Sequence, residues 1–255
     1  MFNILKAEFK KFLKGKTIIA IIIVTIIFPI FTAGMYKILD GLVSNNDGLG
    51  IDSIITAPMA FYSSFSPMQN YGLILLIFVL VLVINDFTQS TIRNKLIAGY
   101  DRKVIYTSTT LFAMIIMIVA VTLYAFLSYF LTGILISFGN VSFGEIAKFY
   151  LFAITSLITI YSFVILASFS FKRLGPTLGI VLGVLFALTI AFSIIMVGLK
   201  EDTIKIILII APFLKIFNAL FVSDANFLVS IFINLLYASG LTTLGLLVTE
   251  KMDFK

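Results

Sequence analysis

Long uncharged apolar runs, separated by short polar segments, are the feature that most restricts how this chain can fold. Candidate runs are Thr17–Tyr36, Pro67–Asn85, Val104–Phe138, Ala147–Phe171, Pro176–Gly198 and Ala225–Val248, charge-free apart from Lys148 near the start of the fourth. About 20 apolar residues in a helix cross a hydrocarbon core of roughly 30 Å. The runs do not alternate with period two, which favours helices over a β-barrel, and each backbone polar group must then be satisfied within its own helix. With 61% hydrophobic and 12% charged residues, the composition lies far from that of a soluble domain. The expectation is an all-α polytopic membrane protein forming one transmembrane domain over residues 1–255. Thr17–Met35 is longer than a signal-peptide core and is followed by no small-x-small site, so it is expected to remain as the first span.

Two segments test the span count. The uncharged run Val104–Gly144 is long enough for a hairpin, but Val121–Ala125 contains no Gly, Pro or Asn to turn it. One long helix that tilts or projects is expected. Ile206–Val222 could just span, but Pro212 and Lys215 lie near its middle. A central Lys costs about 2.5–3.5 kcal/mol against about 0.3–0.6 returned per Ile, Leu or Phe. Charge decides between the topologies. With six spans and both termini cytoplasmic, only Lys37, Lys148, Lys200, Lys205 and Lys215 face outward, and the other thirteen of 18 cations face inward. That distribution satisfies the positive-inside rule and makes Ile206–Val222 an external or re-entrant element. It also accounts for the basic pI without nucleic acid.

The polar segments between spans differ in content. Residues 1–16 carry Ile4, Leu5, Phe9, Phe12 and Leu13 at helical spacing with five Lys elsewhere, the pattern of an interfacial helix. It reads equally as a topology anchor or as an elbow packed beside a partner. Lys37–Ser66, with Asp40, Asp47 and Asp52, has no calcium-loop spacing and reads as a solvated loop. Gly15-Lys16-Thr17 ends like a phosphate-binding loop, but Lys10 stands where the first Gly belongs and no strand precedes it, so no ATP site follows. Cys and His are absent, which removes thiolate chemistry and the usual general base. No catalytic, cofactor or metal site is visible. Gly175, Gly179 and Gly183 lie on one helix face that allows close approach, either within the chain or between two copies.

The island Asn85–Lys103 is the most distinctive segment. Its Asp86, Thr91-Ile92-Arg93-Asn94-Lys95-Leu96 and Gly99-Tyr100-Asp101-Arg102-Lys103-Val104-Ile105-Tyr106 resemble the cytoplasmic stretch that joins the second and third helices of ABC-2 type permeases. Those are the membrane subunits of one group of ATP-binding-cassette exporters. Glu8-Phe9-Lys10-Lys11 and Glu250-Lys251-Met252-Asp253 also resemble that family's ends, whereas Ser108-Thr109 stands where it often has Lys. The resemblance implies a multi-pass subunit of a bacterial plasma membrane, paired with a second permease copy or paralogue and docked on separate ABC ATPase subunits. ATP and Mg would belong to those subunits. Residues 86–103 would be the coupling segment, with Ile92, Leu96 and Ile97 giving apolar contact and Arg93, Lys95 and Arg102 at the rim. Asp86, Thr91, Asn94 and Lys103 complete the matched motif, and Gly175/Gly179/Gly183 would line the permease pair. Similar short members export antimicrobial peptides, sodium or peptide toxins, as in bacitracin-, lantibiotic- and phenol-soluble-modulin-type exporters. The 27 Phe and 10 Tyr favour a peptide substrate on an apolar path. An ion or drug secondary transporter, or an immunity or scaffold protein without an ATPase, remains the alternative.

Overall fold

A computed structural model of the chain describes residues 2–44, 55–217 and 227–252. Among them every regular element is helical and six helices are long and apolar enough to cross a membrane, the character of a multi-pass membrane protein. In chain order these are α2 (Lys16–Ser44), α4 (Asn70–Thr88), α6 (Arg102–Leu135), α7 (Phe143–Phe171), α8 (Leu174–Gly198) and α10 (Phe227–Lys251). Shorter helices are α1 (Phe2–Lys14), α3 (Ala57–Ser63), α5 (Thr91–Ile97), α9 (Glu201–Ile210) and a 3-10 helix, Pro212–Phe217.

The third apolar block is one helix. Its 34 residues at 1.5 Å each give about 51 Å, well beyond a hydrocarbon core, so polar groups can lie at either end without crossing lipid. Asp101 opens it by accepting the Lys103 N–H at 3.0 Å. A Ser142/Glu145 capping box opens α7, satisfying two backbone donors that a helix start leaves orphaned.

α7 is the most enclosed span and packs on α10, α4 and the 3-10 helix; α6 packs on α2, α3 and α4. α8 and α10 are the least enclosed. Polar pairing locks α7 to α10. The Thr159 hydroxyl donates to the Asn234 carbonyl at 2.8 Å, and Asn234 Nδ2 donates to Ser156 Oγ at 2.8 Å. Between α4 and α6, Tyr71 and Tyr124 stack at 4.3 Å, while Tyr71 shares a 2.6 Å hydrogen bond with Thr25 of α2. Interhelical bonds of this kind hold membrane bundles where lipid supplies no hydrophobic drive between helices.

The segment Lys37–Ser66 departs from the solvated loop expected of it. α2 runs on to Ser44, and α3 is buried against α6, with Phe61 and Phe65 fully enclosed beside Phe149. Pro58 near the start of α3 suits a first helical turn. The packing of Phe61, Tyr62 and Phe65 outweighs the polar composition around them. Asp47 and Asp52 lie outside the described residues, as do Asp253 and Lys255. The doubtful segment from Ile206 is broken at Pro212: α9 ends at Ile210 and the 3-10 helix follows. Its Lys215 is buried, near Ser230 Oγ at 3.4 Å and 6.0 Å from the Phe152 ring centre. Residues 218–222 of that segment lie outside the described residues, as do 225 and 226 of the expected last span.

Gly72 marks a backbone contact that admits no side chain, and Gly245 packs closely on a buried tyrosine. A Cβ on Gly72 would run into the Ser66 carbonyl, and one on Gly245 into the Tyr106 hydroxyl. Gly72→Ala is expected to cost about 2 kcal/mol of stability, as overpacking does, while Gly175→Ala, with open space around it, stays neutral. Thermal unfolding of the purified protein in detergent distinguishes the two.

Candidate functional site

The island folds into a helix–turn–helix whose turn residues each have a local reason. α5 ends in a Schellman motif: Gly99 takes φ +84°, its N–H donates to the Leu96 carbonyl, and the Tyr100 N–H donates to the Lys95 carbonyl. Glycine meets no steric penalty in that left-handed position. Asp101 then caps α6. Arg102 reaches across to the last turn of α10, donating to the backbone carbonyls of Glu250 at 2.7 Å and Met252 at 2.8 Å. A cation at a helix C-terminus is favourable in charge and in hydrogen bonding. Lys103 adds an exposed ion pair to Glu250 at 2.5 Å. The motif Gly99-Tyr100-Asp101-Arg102 thus finishes one helix, starts the next and clamps the C-terminal one.

Beneath α5 lies a network of charges drawn from three elements. Lys95 of α5 pairs with Glu8 of α1 and, at 3.3 Å, with Asp86 of α4; Lys11 of α1 pairs with the other Asp86 oxygen at 2.7 Å and donates to Thr91 Oγ1 at 3.2 Å. Glu8 and Asp86 are 5% and 4% exposed, so these carboxylates depend on the lysines for compensation. Burial pushes the Glu8 carboxyl above its usual range, and the neighbouring Asp86 charge adds to the rise; Lys95 and Lys11 oppose it.

This geometry sorts the expected coupling residues. Ile92 is 1% exposed and sits in the core, while Leu96 packs partly against that core. Lys95 faces inward to the charge network, and Arg102 to α10. The outer face of α5 is therefore Arg93, Asn94 and Ile97, the last 76% exposed, continued by Tyr100. Asp86 pairs with Lys95, a cation of the island, and with Lys11 of α1. Helical spacing in α1 selected Leu13, which is exposed; the buried stripe is Ile4, Glu8 and Phe12, at i, i+4 and i+8. An acid on the inward stripe defeats a hydrophobicity-only reading, and its cue was Lys95 of the island, which it would have to meet.

The Gly175/Gly179/Gly183 face has open space at every position and makes no close packing within the described residues. Aromatics expected along an apolar path are in part core: Phe61, Phe65, Phe169, Tyr71, Tyr106, Tyr124 and Tyr161 are almost wholly enclosed. No protein-family model matches the chain, and no curated protein matches it.

Asp86→Asn leaves Lys95 and Lys11 short of a counter-charge and is expected to destabilise by about 3 kcal/mol, read as a lowered unfolding midpoint and faster proteolysis of residues 2–14. Glu8 carries a pH signature as well. Its folded-state affinity for a proton exceeds the unfolded one, so its contribution is fully present below 4.5 and is lost as pH rises through the raised value. The unfolding midpoint of Glu8→Gln should fall less steeply than that of the parent above pH 4.5.

Proposed function

We propose that this chain is the membrane-spanning permease subunit of an ATP-driven exporter of the ABC-2 type, working with a separate nucleotide-binding subunit that docks on α5. The observation that carries this reading is the mounting of α5. A short amphipathic helix turns Arg93, Asn94 and Ile97 outward, while its inner side is fixed to α1 and α4 by buried ion pairs. A push on the outer face would reach α4 directly, and α2 through α1. A plain connecting loop requires no such bracing.

In this reading both termini and α5 face the cytoplasm of a bacterial cell, as the charge distribution favours. Nucleotide and Mg are held by the partner, and this chain supplies the path. The cargo is an amphipathic or antimicrobial peptide. Exposed apolar faces on the least enclosed helices, among them Ile190 and Ile194 of α8 and Leu228 and Phe232 of α10, favour a cargo with a greasy side. A second permease, identical or paralogous, would cover the Gly175/Gly179/Gly183 face.

The pair Arg93→Glu and Ile97→Asp tests the dock without touching an internal contact. Purified from its native membranes, the parent protein is expected to carry vanadate-sensitive ATP hydrolysis, and the double variant to lose at least tenfold of it while unfolding at the same temperature. Equal hydrolysis in both proteins, or none in the parent, would contradict the proposal.

A further inference from the structure

Between the α1–α2 elbow and the ends of α4 and α6 lies a partly open cavity of about 330 Å³, walled on one side by Glu8, Lys11 and Asp86 of the charge network. Its walls change character with depth. Lys11, Lys16 and Thr17 line it where α1 breaks into α2, and Leu82, Val83 and Phe112 line it farther along the spans. Gly15, Lys16 and Thr17, at the start of the 29-residue α2, line the cavity, and the first turn of a helix favours an anion through its N–H groups and dipole.

Two further observations point to a ligand. Thr109 lines the cavity with a buried side chain, 2% exposed, whose hydroxyl has no hydrogen-bond partner. A hydroxyl of this kind inside a protein ordinarily finds one. Lys16 is exposed and makes no ion pair among the described residues. The acids on the wall, Glu8 and Asp86, are already engaged by Lys95 and Lys11. Lys11, Lys16 and Lys95 together outnumber those two carboxylates.

We infer that this cavity is a binding site for one anionic phospholipid, with the phosphate at Lys16 and the start of α2 and an acyl chain along Leu82, Val83 and Phe112. A soluble phosphate would use only the polar half of the site, whereas a lipid uses both halves. The site stands independently of whether an ATPase docks on α5. A lipid there would wedge the elbow against α4 and so bear on the same charge network from the opposite side.

The full-length protein, stripped of lipid in a neutral detergent, can be titrated with phosphatidylglycerol and followed by native mass spectrometry. One tightly held lipid is expected. Lys16→Gln should weaken it roughly fivefold, the effect of one interfacial lysine, and Thr109→Val should weaken it too at nearly constant side-chain volume. Lys14→Gln, the same charge change off the cavity wall, should leave the affinity as it was. Equal losses from Lys14→Gln and Lys16→Gln would overturn the site in favour of general surface attraction. Phosphatidylcholine bound as tightly as phosphatidylglycerol would overturn the anion requirement. Competition by glycerol 1-phosphate at the concentration where the lipid itself competes would overturn the lipid in favour of a soluble anion.

Discussion

Two buried carboxylates and two lysines set the architecture at the α1 end of this protein. Glu8 and Asp86 come from elements far apart in sequence, and neither could be enclosed alone without a penalty of several kcal/mol. Lys95 serves both of them and Lys11 completes the set. The network therefore ties α1, α4 and α5 together: displacing α5 strips Glu8 of its lysine, and displacing α4 strips Lys11 of its carboxylate. Apolar packing of Ile4, Phe12 and Ile92 fills the space around the network, but packing is tolerant of small slides. Paired charges at hydrogen-bond distance are not.

That constraint gives the α5 segment its mechanical character. A helix of seven residues is too short to be stable alone, so its position is borrowed from what it touches. The Schellman turn at Gly99, the Asp101 cap and the Arg102 clamp on α10 fix its far side as firmly as the charge network fixes its near side. α4, α6 and α1 thus meet one small helix, whose outer face remains exposed. Such an arrangement can pass a displacement inward to several spans at once, which is the property a coupling element requires.

How much of this could be read from the sequence depended on the kind of interaction. Spans were plain, because twenty apolar residues in a row have few other uses, and the absence of turn residues in Val121–Ala125 was enough to give one long α6. Gly99, Asp101 and Arg102 were recognisable as a pattern, though their separate duties emerged only with the backbone: one closes a helix, one opens the next and one reaches residues 148 and 150 positions away. Features that depend on long-range pairing were hidden. Glu8 looked like a polar residue between lysines, and its burial follows from where Lys95 arrives. α3 looked like part of a polar loop, since seven residues give too few periods to reveal a buried face. Ile92 and Ile97 were equivalent as letters, yet the direction of α5 encloses one and exposes the other.

The central claim is that the exposed side of α5 meets a nucleotide-binding subunit. The absence of Cys from the chain lets a single engineered cysteine carry a photo-crosslinker at position 97, with position 123, exposed on α6, as a lipid-facing control. In native membranes, the account predicts an adduct at 97 with a protein that binds ATP, its yield changing when ATP and vanadate are added, and no such adduct at 123. Adducts at 97 with lipid alone, or with the same products as at 123, would contradict it.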